Sequence, residues 1–209
     1  MNFSKGISFI EKALQDPLPG VVAQHLMAPK IRKTTNELLQ ANPAHRLSSV
    51  MILLYPDVKG QLSTIFIERP IDNSIHSGQI AFPGGKMDEE DITPARTALR
   101  ETEEEIGVPA SDIRILGPLS QLFIPASNFL VIPHVGIMET TPGFTPNPDE
   151  VQSLIPVHIS QLMELKQHSK QFYTSYGLLE APYFELNGHS VWGATAMMIS
   201  EFRELLKRF

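Results

Sequence analysis

Three glutamates near the middle of the chain have a spacing that would let them share a cation. Glu101, Glu104 and Glu105 stand at positions i, i+3 and i+4, which places them within an arc of roughly 100° on one side of an α-helix. Like charges at this spacing destabilise a helix by a few tenths of a kcal/mol, so a solvated acidic face is one interpretation. The other is a site for Mg²⁺ or Mn²⁺, which hard oxygen ligands select.

The neighbouring residues predict the helix that would carry these glutamates. A small and apolar stripe on the opposite side would pack on a core; it consists of Ala95, Ala98, Leu99, Thr102 and Ile106. Thr93 can cap this helix, Pro94 fits its first position, and Gly107 fits just past its end. We therefore expect the carboxylates to face away from the core. We also expect Gly84-Gly85 to form a turn ahead of this helix.

The rest of the chain alternates between strand and helix patterns. Apolar or alternating stretches predict strands over 48–55, 62–68, 78–82, 113–116, 122–123, 129–138, 181–186 and 190–192. Helical spacing predicts helices over 3–16, 157–166 and 194–209. Asn187-Gly188 predicts a hairpin turn. The pattern indicates an α/β protein, an α/β/α sandwich with a mixed β-sheet, formed as a single domain over 1–209 with an N-terminal helical extension over 1–47.

Composition and charge exclude several classes of protein. A chain of 209 residues with 42% hydrophobic and 19% charged residues has the values of a globular domain. The absence of cysteine excludes a disulfide, a thiol nucleophile and a cysteine zinc site. A net charge of −6 argues against a broad nucleic-acid surface. Met1 to Lys5 lack a basic leader, and no apolar run approaches the roughly 20 residues of a membrane span. We expect a cytoplasmic protein.

The residues around the glutamates resemble the signature of the Nudix hydrolases. That signature ends in Arg-Glu-apolar-x-Glu-Glu-x-Gly-apolar, and the matching residues are Arg100, Glu101, Glu104, Glu105, Gly107 and Val108, with Thr102 at the apolar position. Its upstream half differs from the general pattern. Gly85 and Asp91 each sit one residue early, so the loop before the helix carries one extra residue.

One Nudix subgroup, the coenzyme A pyrophosphatases, is similar in having this longer loop. It carries Gly-Gln-x-Ala-Phe-Pro-Gly-Gly-x-x-Asp-x-x-Asp, which corresponds to Gly78 to Asp91, followed by Thr-Ala-Leu-Arg-Glu, which corresponds to Thr97 to Glu101. A second arginine that the subgroup places four or five residues beyond Arg69 is absent, because Asn73 and Ser74 stand there. The resemblance favours this subgroup within the family.

The resemblance implies roles for particular residues. The implied metal ligands are Glu101, Glu104, Glu105 and a backbone carbonyl beside the glycine pair, from Gly85 or Lys86. Arg100 would contact phosphate or hold a catalytic glutamate in place, with Asp91 as its partner. The implied substrate-binding residues are Arg69, His76, Gly78 and Gly84. A hydrogen-bonded loop residue is an equally good explanation of His76.

Glu150 is a further candidate outside the signature. It follows a loop over 141–149 that is rich in Pro, Thr and Asn. Nudix enzymes often supply an extra metal ligand or a general base from such a loop, and a plain charged loop end is the alternative. We expect the substrate to order this loop, because 142–148 offers no regular scaffold. Glu104 or Glu150 would act as the general base.

The function implied by the resemblance is metal-dependent hydrolysis of a diphosphate bond. Coenzyme A or a thioester of it would be cut to 3′,5′-ADP and 4′-phosphopantetheine, with Mg²⁺ or Mn²⁺ as cofactor. Two alternatives stay open: a Nudix hydrolase of ADP-ribose or a dinucleotide, and a non-catalytic Nudix module that senses a nucleotide. The expected partner is a small-molecule nucleoside diphosphate substrate, and we expect the protein to bind neither nucleic acid nor a membrane. A homodimer is one assembly that the sequence allows.

Overall fold

The computed structural model describes residues 3–72, 76–174 and 177–209. Its helices are α1 (Phe3–Ala13), α2 (Gly20–His25), α3 (Thr35–Ala41), α4 (Pro94–Ile106), α5 (Ile159–Glu164) and α6 (Gly193–Leu206). Its strands are β1 (Arg46–Pro56), β2 (Leu62–Glu68), β3 (Ile80–Ala81), β4 (Gly84–Lys86), β5 (Arg114–Pro118), β6 (Leu122–Ile124), β7 (Phe129–Ile137), β8 (Ser153–His158), β9 (Gln167–Thr174), β10 (Gly177–Leu186) and β11 (His189–Trp192).

The larger sheet is mixed, as predicted. Its central path runs β3-β2-β1-β7-β5, while β4, β6 and β8 pair with β1, β7 and β2 respectively. Strands β1 and β7 are parallel, and the remaining pairs of this sheet are antiparallel. The long apolar strand β1 therefore occupies the centre, where it is covered on both faces.

Successive residues of β1 belong to two different cores, and this alternation places helices on both faces of the sheet. Leu53 packs in one apolar cluster with Ala98 of α4. Ile52 packs in the other cluster, with Ile10 of α1 and Phe202 of α6. Because neighbouring side chains of a strand point to opposite faces, α4 covers one face and the terminal helices cover the other. The predicted α/β/α arrangement is confirmed.

A smaller antiparallel sheet in the order β11-β10-β9 completes the described structure. Asn187 and Gly188 form the turn between β10 and β11 with φ of 50° and 83°. Positive φ at both central residues is the geometry that an Asn-Gly hairpin turn requires, so this prediction is confirmed. One face of this sheet places Phe184, Leu186 and Val191 in the core that contains α6.

After residue 149, one predicted helix starts too early and two strands were not predicted. The helix predicted over 157–166 begins at Ile159, because 153–158 form β8 against β2. Pro156 made this segment look unlike a strand, because proline is rare inside sheets. It is tolerated here because β8 pairs only with β2 among the described strands and so forms a sheet edge. Strand β9 was not predicted, because its residues are mostly polar and exposed.

The N-terminal helical segment is tied to α6 by a buried carboxylate. Gln24 Nε2 donates to Glu201 Oε2 at 2.9 Å, and the backbone amides of Gly20 and Ser120 donate to Glu201 Oε1 at 3.1 and 3.2 Å. Such fully bonded polar groups can be buried without a large penalty. The domain boundaries stay a prediction, and residues 1 and 2 lie outside the described residues.

None of the helices in the described part of the chain combines the length and the apolar character that crossing a bilayer would require. The cytoplasmic location stays a prediction.

Candidate active site

Helix α4 has the ends that the sequence predicts. The Thr93 side chain accepts a hydrogen bond from Arg96 N at 3.3 Å, and Pro94 occupies the first helical position. Gly107 ends the helix in the left-handed conformation with φ of 71°. A Cβ at Gly107 would lie 2.7 Å from the carbonyl oxygen of Thr145, so the glycine also lets another segment approach the end of the helix.

The glycine pair before α4 is a strand and not the turn that we predicted. Residues Gly84–Lys86 form β4 and pair antiparallel with β1, with Gly84 opposite Val50. Gly84 has φ of 153°, and a Cβ there would overlap the carbonyl oxygen of Ser49. Only glycine allows the two backbones to come this close. The amide of Gly84 thereby points at α4 and donates to Glu105 Oε2 at 2.8 Å.

Glu105 is buried, which corrects the prediction that all three helix carboxylates face away from the core. Its side chain is 2% exposed, and Arg69 Nη1 lies 4.0 Å from its Oε1. Burial raises the pKa of Glu105 to about 8, against the opposing effects of the Gly84 amide and Arg69. A carboxylate in this position therefore gains strongly from a nearby positive charge.

Glu101 lies beside Glu105 at the half-buried edge of the same site. Its Oε1 accepts a hydrogen bond from Arg100 Nη2 at 2.9 Å. Burial raises the pKa of Glu101, although the Arg100 charge opposes that shift. Gly85 faces this carboxylate, and a Cβ at Gly85 would overlap its oxygens. The glycine therefore provides the space in which the Glu101 carboxylate sits.

Arg100 connects the loop before α4 to the glutamates on the helix. Its Nε and Nη2 donate to the two oxygens of Asp91, both at 3.0 Å, which confirms the predicted partner. Nη2 also donates to the carbonyl of Lys86 at 3.0 Å. Asp91 is held in turn by Thr97 Oγ1 at 3.0 Å. Arg100 therefore holds Glu101 in place, as in one of its two implied roles, and its part in catalysis stays a prediction.

Glu104 lies apart from the other two carboxylates of the helix. Its Oε2 accepts from Arg100 Nη1 at 2.7 Å, and its side chain is 48% exposed. Its role as a metal ligand or general base stays a prediction.

The loop over 141–149 has a scaffold, contrary to our expectation that substrate orders it. The amides of Thr145 and Asn147 donate to the carbonyls of Ile106 and Glu105, both at 2.9 Å. The last carbonyls of a helix lack partners within it, so α4 itself holds this loop. Phe144 adds an edge-to-face contact with the Tyr55 ring, with centroids 5.3 Å apart.

This docking brings Glu150 to the helix carboxylates. One carboxylate oxygen from each of Glu101, Glu105 and Glu150 lies within 4.8 Å of the other two. We call these three residues the carboxylate cluster. Asn147 Nδ2 donates to Glu150 Oε1 at 3.2 Å and so orients it. We did not predict the role of Asn147, although Asn-Pro-Asp is a sequence in which an asparagine side chain commonly bonds its own backbone, as it does here to Asp149 N.

The predicted substrate-binding residues before β4 lie in one loop. Arg69 N and Gly78 N donate to the carbonyls of Gln79 and Pro70, at 3.0 and 3.1 Å, and Gly78 has φ of 64°. His76 Nδ1 is 3.1 Å from Gln79 Oε1, a contact that fits the structural explanation of this histidine. Substrate contacts of Arg69, His76, Gly78 and Gly84 stay predictions. Positions 73 and 74, where a second arginine was expected, lie outside the described residues.

Comparison with known proteins identifies the family of this chain. The family model described as the NUDIX domain matches residues 45–176. The chain belongs to the Nudix family. It is 33% identical over 161 residues to a protein of Yersinia enterocolitica named uncharacterized Nudix hydrolase NudL, which covers 76% of this chain and 80% of the relative. A NudL of Yersinia pestis is 33% identical over 149 residues, covering 70% of this chain and 74% of the relative.

Solved Nudix structures have the same fold. The Nudix hydrolase RenU from M. smegmatis has a TM-score of 0.56 at 17% identity, over 79% of this chain and 88% of that one. The Nudix domain of Shewanella oneidensis NrtR, solved with ADP-ribose, has a TM-score of 0.53 at 17% identity, over 83% of this chain and 99% of that one. With the family model and the NudL relatives, this identifies the chain as a Nudix hydrolase.

Gly85→Ala tests whether the space at Gly85 is needed to position Glu101. The new methyl group meets only the end of a flexible side chain, so we expect the fold to survive and the Glu101 carboxylate to move. Because small misplacements of a reacting group are costly, kcat should fall by about tenfold with little change in Tm.

Two control variants make this experiment specific. Gly143→Ala has nothing within 4 Å of its new methyl group and should change neither quantity. Gly84→Ala would meet backbone at positive φ and should lower Tm. A Gly85→Ala protein with normal kcat would show that Glu101 does not need its observed position.

Asp91→Asn tests the ion pair that holds Arg100. Hydrogen bonds lower the pKa of Asp91 from 3.8 to about 2; the largest effect comes from Arg100, and the Asp88 amide and Thr97 add to it. Hydrogen bonds to charged groups contribute about 1.5–3 kcal/mol each, so the variant should lose about 2 kcal/mol of unfolding free energy at pH 7. A depressed pKa stabilises the fold above the unfolded pKa, and this contribution is lost as the pH falls toward the folded one.

Urea unfolding of both proteins from pH 7 down to pH 2 measures this effect. The difference between wild type and Asp91→Asn should be complete above about pH 4 and should shrink toward pH 2. A difference that is the same at every pH would contradict the assignment, because it would mean that the charge of Asp91 contributes nothing.

Proposed function

We propose that this Nudix hydrolase cuts the diphosphate bond of coenzyme A or an acyl-coenzyme A, giving 3′,5′-ADP and 4′-phosphopantetheine. The observation that carries the hydrolytic part of the proposal is the carboxylate cluster, which combines a buried, a half-buried and an exposed carboxylate within 4.8 Å. The coenzyme A part depends on the resemblance of Gly78 to Asp91 to one Nudix subgroup, including its extra loop residue.

The cluster has the donor set that a divalent cation needs. Three carboxylates supply only hard oxygen atoms, which favour Mg²⁺ or Mn²⁺ over softer metals. Glu105 sits where burial disfavours its charge, so a cation that compensates this charge would be bound favourably. When bound, such ions neutralise the diphosphate and lower the pKa of an attacking water.

The side chains of the chain supply orientation, charge and a proton acceptor. Arg69, 39% exposed and 4.0 Å from Glu105, can pair with a phosphate oxygen beside the cluster. Arg100 fixes Glu101 from the side of the loop. The exposed carboxylate of Glu150 lies beside those of Glu101 and Glu105 and can accept the proton of the attacking water. Glu104 is the alternative acceptor.

Product identification tests both parts of the proposal. The protein is incubated with coenzyme A, acetyl-coenzyme A, ADP-ribose or a dinucleoside polyphosphate, with Mg²⁺ or Mn²⁺ and with EDTA as control. Mass spectrometry should find 3′,5′-ADP and a 4′-phosphopantetheine, formed faster than the products of the other substrates and only with metal.

Each alternative predicts a different result. Preference for ADP-ribose or a dinucleotide would contradict the coenzyme A part of the proposal. It would still support hydrolysis of a diphosphate bond. Binding of a nucleotide without turnover of any substrate would support the non-catalytic sensor instead. The NudL relatives carry no substrate in their names, so this experiment decides among the three.

A further inference from the structure

Three aromatic rings form a continuous surface on the smaller sheet. Phe172 of β9 and Trp192 of β11 are stacked, with centroids 4.3 Å apart and planes at 16°. Tyr183 of β10 meets Phe172 edge-on, with centroids 6.0 Å apart and an angle of 81°. We call these three rings the aromatic platform. Phe172 and Trp192 reach each other across the middle strand because Ala181 between them is small, and it is 1% exposed beneath them.

The platform lies on the face of the smaller sheet that does not join the main core. Phe184 and Leu186 of β10 pack in the core with α6, so Tyr183 between them points to the other face. All three platform rings are half-buried and retain access to solvent. The His168 ring also contacts Tyr183, with centroids 5.5 Å apart and planes at 34°. Trp192, supported by the stacked Phe172, is therefore the ring of the platform on which a planar ligand would stack.

A cation accompanies these rings. Lys170 Nζ lies 5.0 Å from the centroid of Phe172 and 4.8 Å from that of Tyr183. It donates to Ser190 Oγ at 2.6 Å, and no carboxylate within the described ranges forms an ion pair with it. A positive charge without a carboxylate partner is available to an anionic ligand.

The platform belongs to a sheet that adjoins the active site. Strand β11, which ends in Trp192, lies against β3. Strand β3 pairs with the end of β2 and leads within two residues to β4, whose Gly84 contacts Glu105. The smaller sheet therefore adjoins the strand that leads to the active site.

We propose that the aromatic platform binds the planar base of the nucleotide part of the substrate, and that Lys170 pairs with a phosphate on its ribose. The proposal rests on the proposed function for the class of ligand, since a nucleotide combines a planar base with a nearby phosphate. Stacking of a base on aromatic side chains can decide which half of a substrate is recognised.

Fluorescence can follow this binding separately from hydrolysis. Trp192 is the single tryptophan of the chain, so the emission of the protein reports on the platform. Titrations are made in EDTA, where the acidic cluster repels phosphate and no turnover occurs. Addition of 3′,5′-ADP should change the emission saturably, and 4′-phosphopantetheine, which has no base, should not.

Variants identify the parts of the platform. Phe172→Leu removes the stacked ring and should weaken 3′,5′-ADP binding by about tenfold, the equivalent of about 1.4 kcal/mol. Lys170→Met should weaken 3′,5′-ADP by about threefold and leave the binding of adenosine unchanged. Tyr173→Leu is the matched control, because this neighbouring aromatic residue is 88% exposed and points to the opposite face of β9, and it should bind like wild type.

Hydrolysis measurements separate this proposal from the proposed function. Phe172→Leu should raise KM for coenzyme A by about tenfold at nearly constant kcat. Unchanged KM together with unchanged Trp192 emission would overturn the platform and leave the hydrolase standing. Base-dependent emission changes without hydrolysis of any substrate would overturn the hydrolase and support the platform. If Phe172→Leu melts early, the exposed Lys170→Met variant still decides the question.

Discussion

Glu105→Gln is expected to lower kcat by at least about two orders of magnitude, because it removes the most deeply buried charge of the carboxylate cluster. Glutamine has the same shape, and its amide oxygen can still accept the hydrogen bond that Gly84 N gives to Glu105. We therefore expect the variant to fold, as we did from the sequence, but for a different reason. There we expected an exposed side chain, whereas the structure has a buried one that glutamine can replace.

Steady-state kinetics across a metal titration, with a melting curve for each protein, measures this effect. Glu103→Gln is the matched control: Glu103 lies on the same helix, is exposed, and bonds only the amide of Ala110 at 3.1 Å in the described structure. It should retain wild-type kcat. Normal turnover of Glu105→Gln at saturating Mg²⁺ would mean that Glu105 does not bind metal.

The sequence predicts the same fall in kcat for Glu104→Gln as for Glu105→Gln. The structure makes a comparison of the two variants informative. Glu104 bonds Arg100 and lies outside the carboxylate cluster. A loss similar to that of Glu105→Gln would mean that Glu104 exchanges Arg100 for the metal in the active enzyme. A small loss would make Glu101, Glu105 and Glu150 the complete set of carboxylate ligands.

Local rules predicted the parts of the site whose causes lie within a few residues. Thr93, Pro94 and Gly107 are recognisable because capping depends on side-chain type and on φ near the helix end. The apolar run of β1 and the alternating residues of β2 likewise predicted two strands, and these pair antiparallel in the structure.

The features that the sequence did not predict depend on contacts between distant segments. Glu105 looks like a surface residue in a helix pattern, yet β4 lies over it because Gly84 lets two strands come close. The loop over 141–149 has no periodic pattern of apolar residues from which a structure could be predicted. It is held by hydrogen bonds to the carbonyls of Ile106 and Glu105 at the end of α4. No property of the loop residues alone reveals that partner.

The structure also explains how a cluster of carboxylates is tolerated next to a core. Arg100 bonds Asp91, Glu101 and Glu104 at once, so one cation is shared among several carboxylates. Glu105 is the exception, because Arg69, its ion-pair partner among the described residues, is 4.0 Å away and half exposed. The charge balance of the protein is thus incomplete where a divalent ion would complete it, as expected when a functional site departs from the rules that stabilise the rest of a fold.

Glu150→Gln is expected to lower kcat by about 100-fold and also to weaken the apparent affinity for Mg²⁺. The sequence left its role open between a general base and a metal ligand. The distance of at most 4.8 Å between its carboxylate and those of Glu101 and Glu105 favours participation in the same metal site. A pure general base would lose kcat at constant metal affinity, since Glu101 and Glu105 would still hold the ion.

A Mg²⁺ titration of kcat in wild type, Glu150→Gln and Asp149→Asn separates these roles. Asp149 is the adjacent exposed carboxylate, and it contacts the loop through its backbone amide, which the asparagine variant retains. It should behave as wild type in both quantities. A fall in kcat alone for Glu150→Gln would assign the base, and no change in either quantity would make Glu150 an ordinary surface residue. Because Asn147 and the end of α4 hold this loop in place without substrate, the loss should be equally large for every substrate that the enzyme cuts.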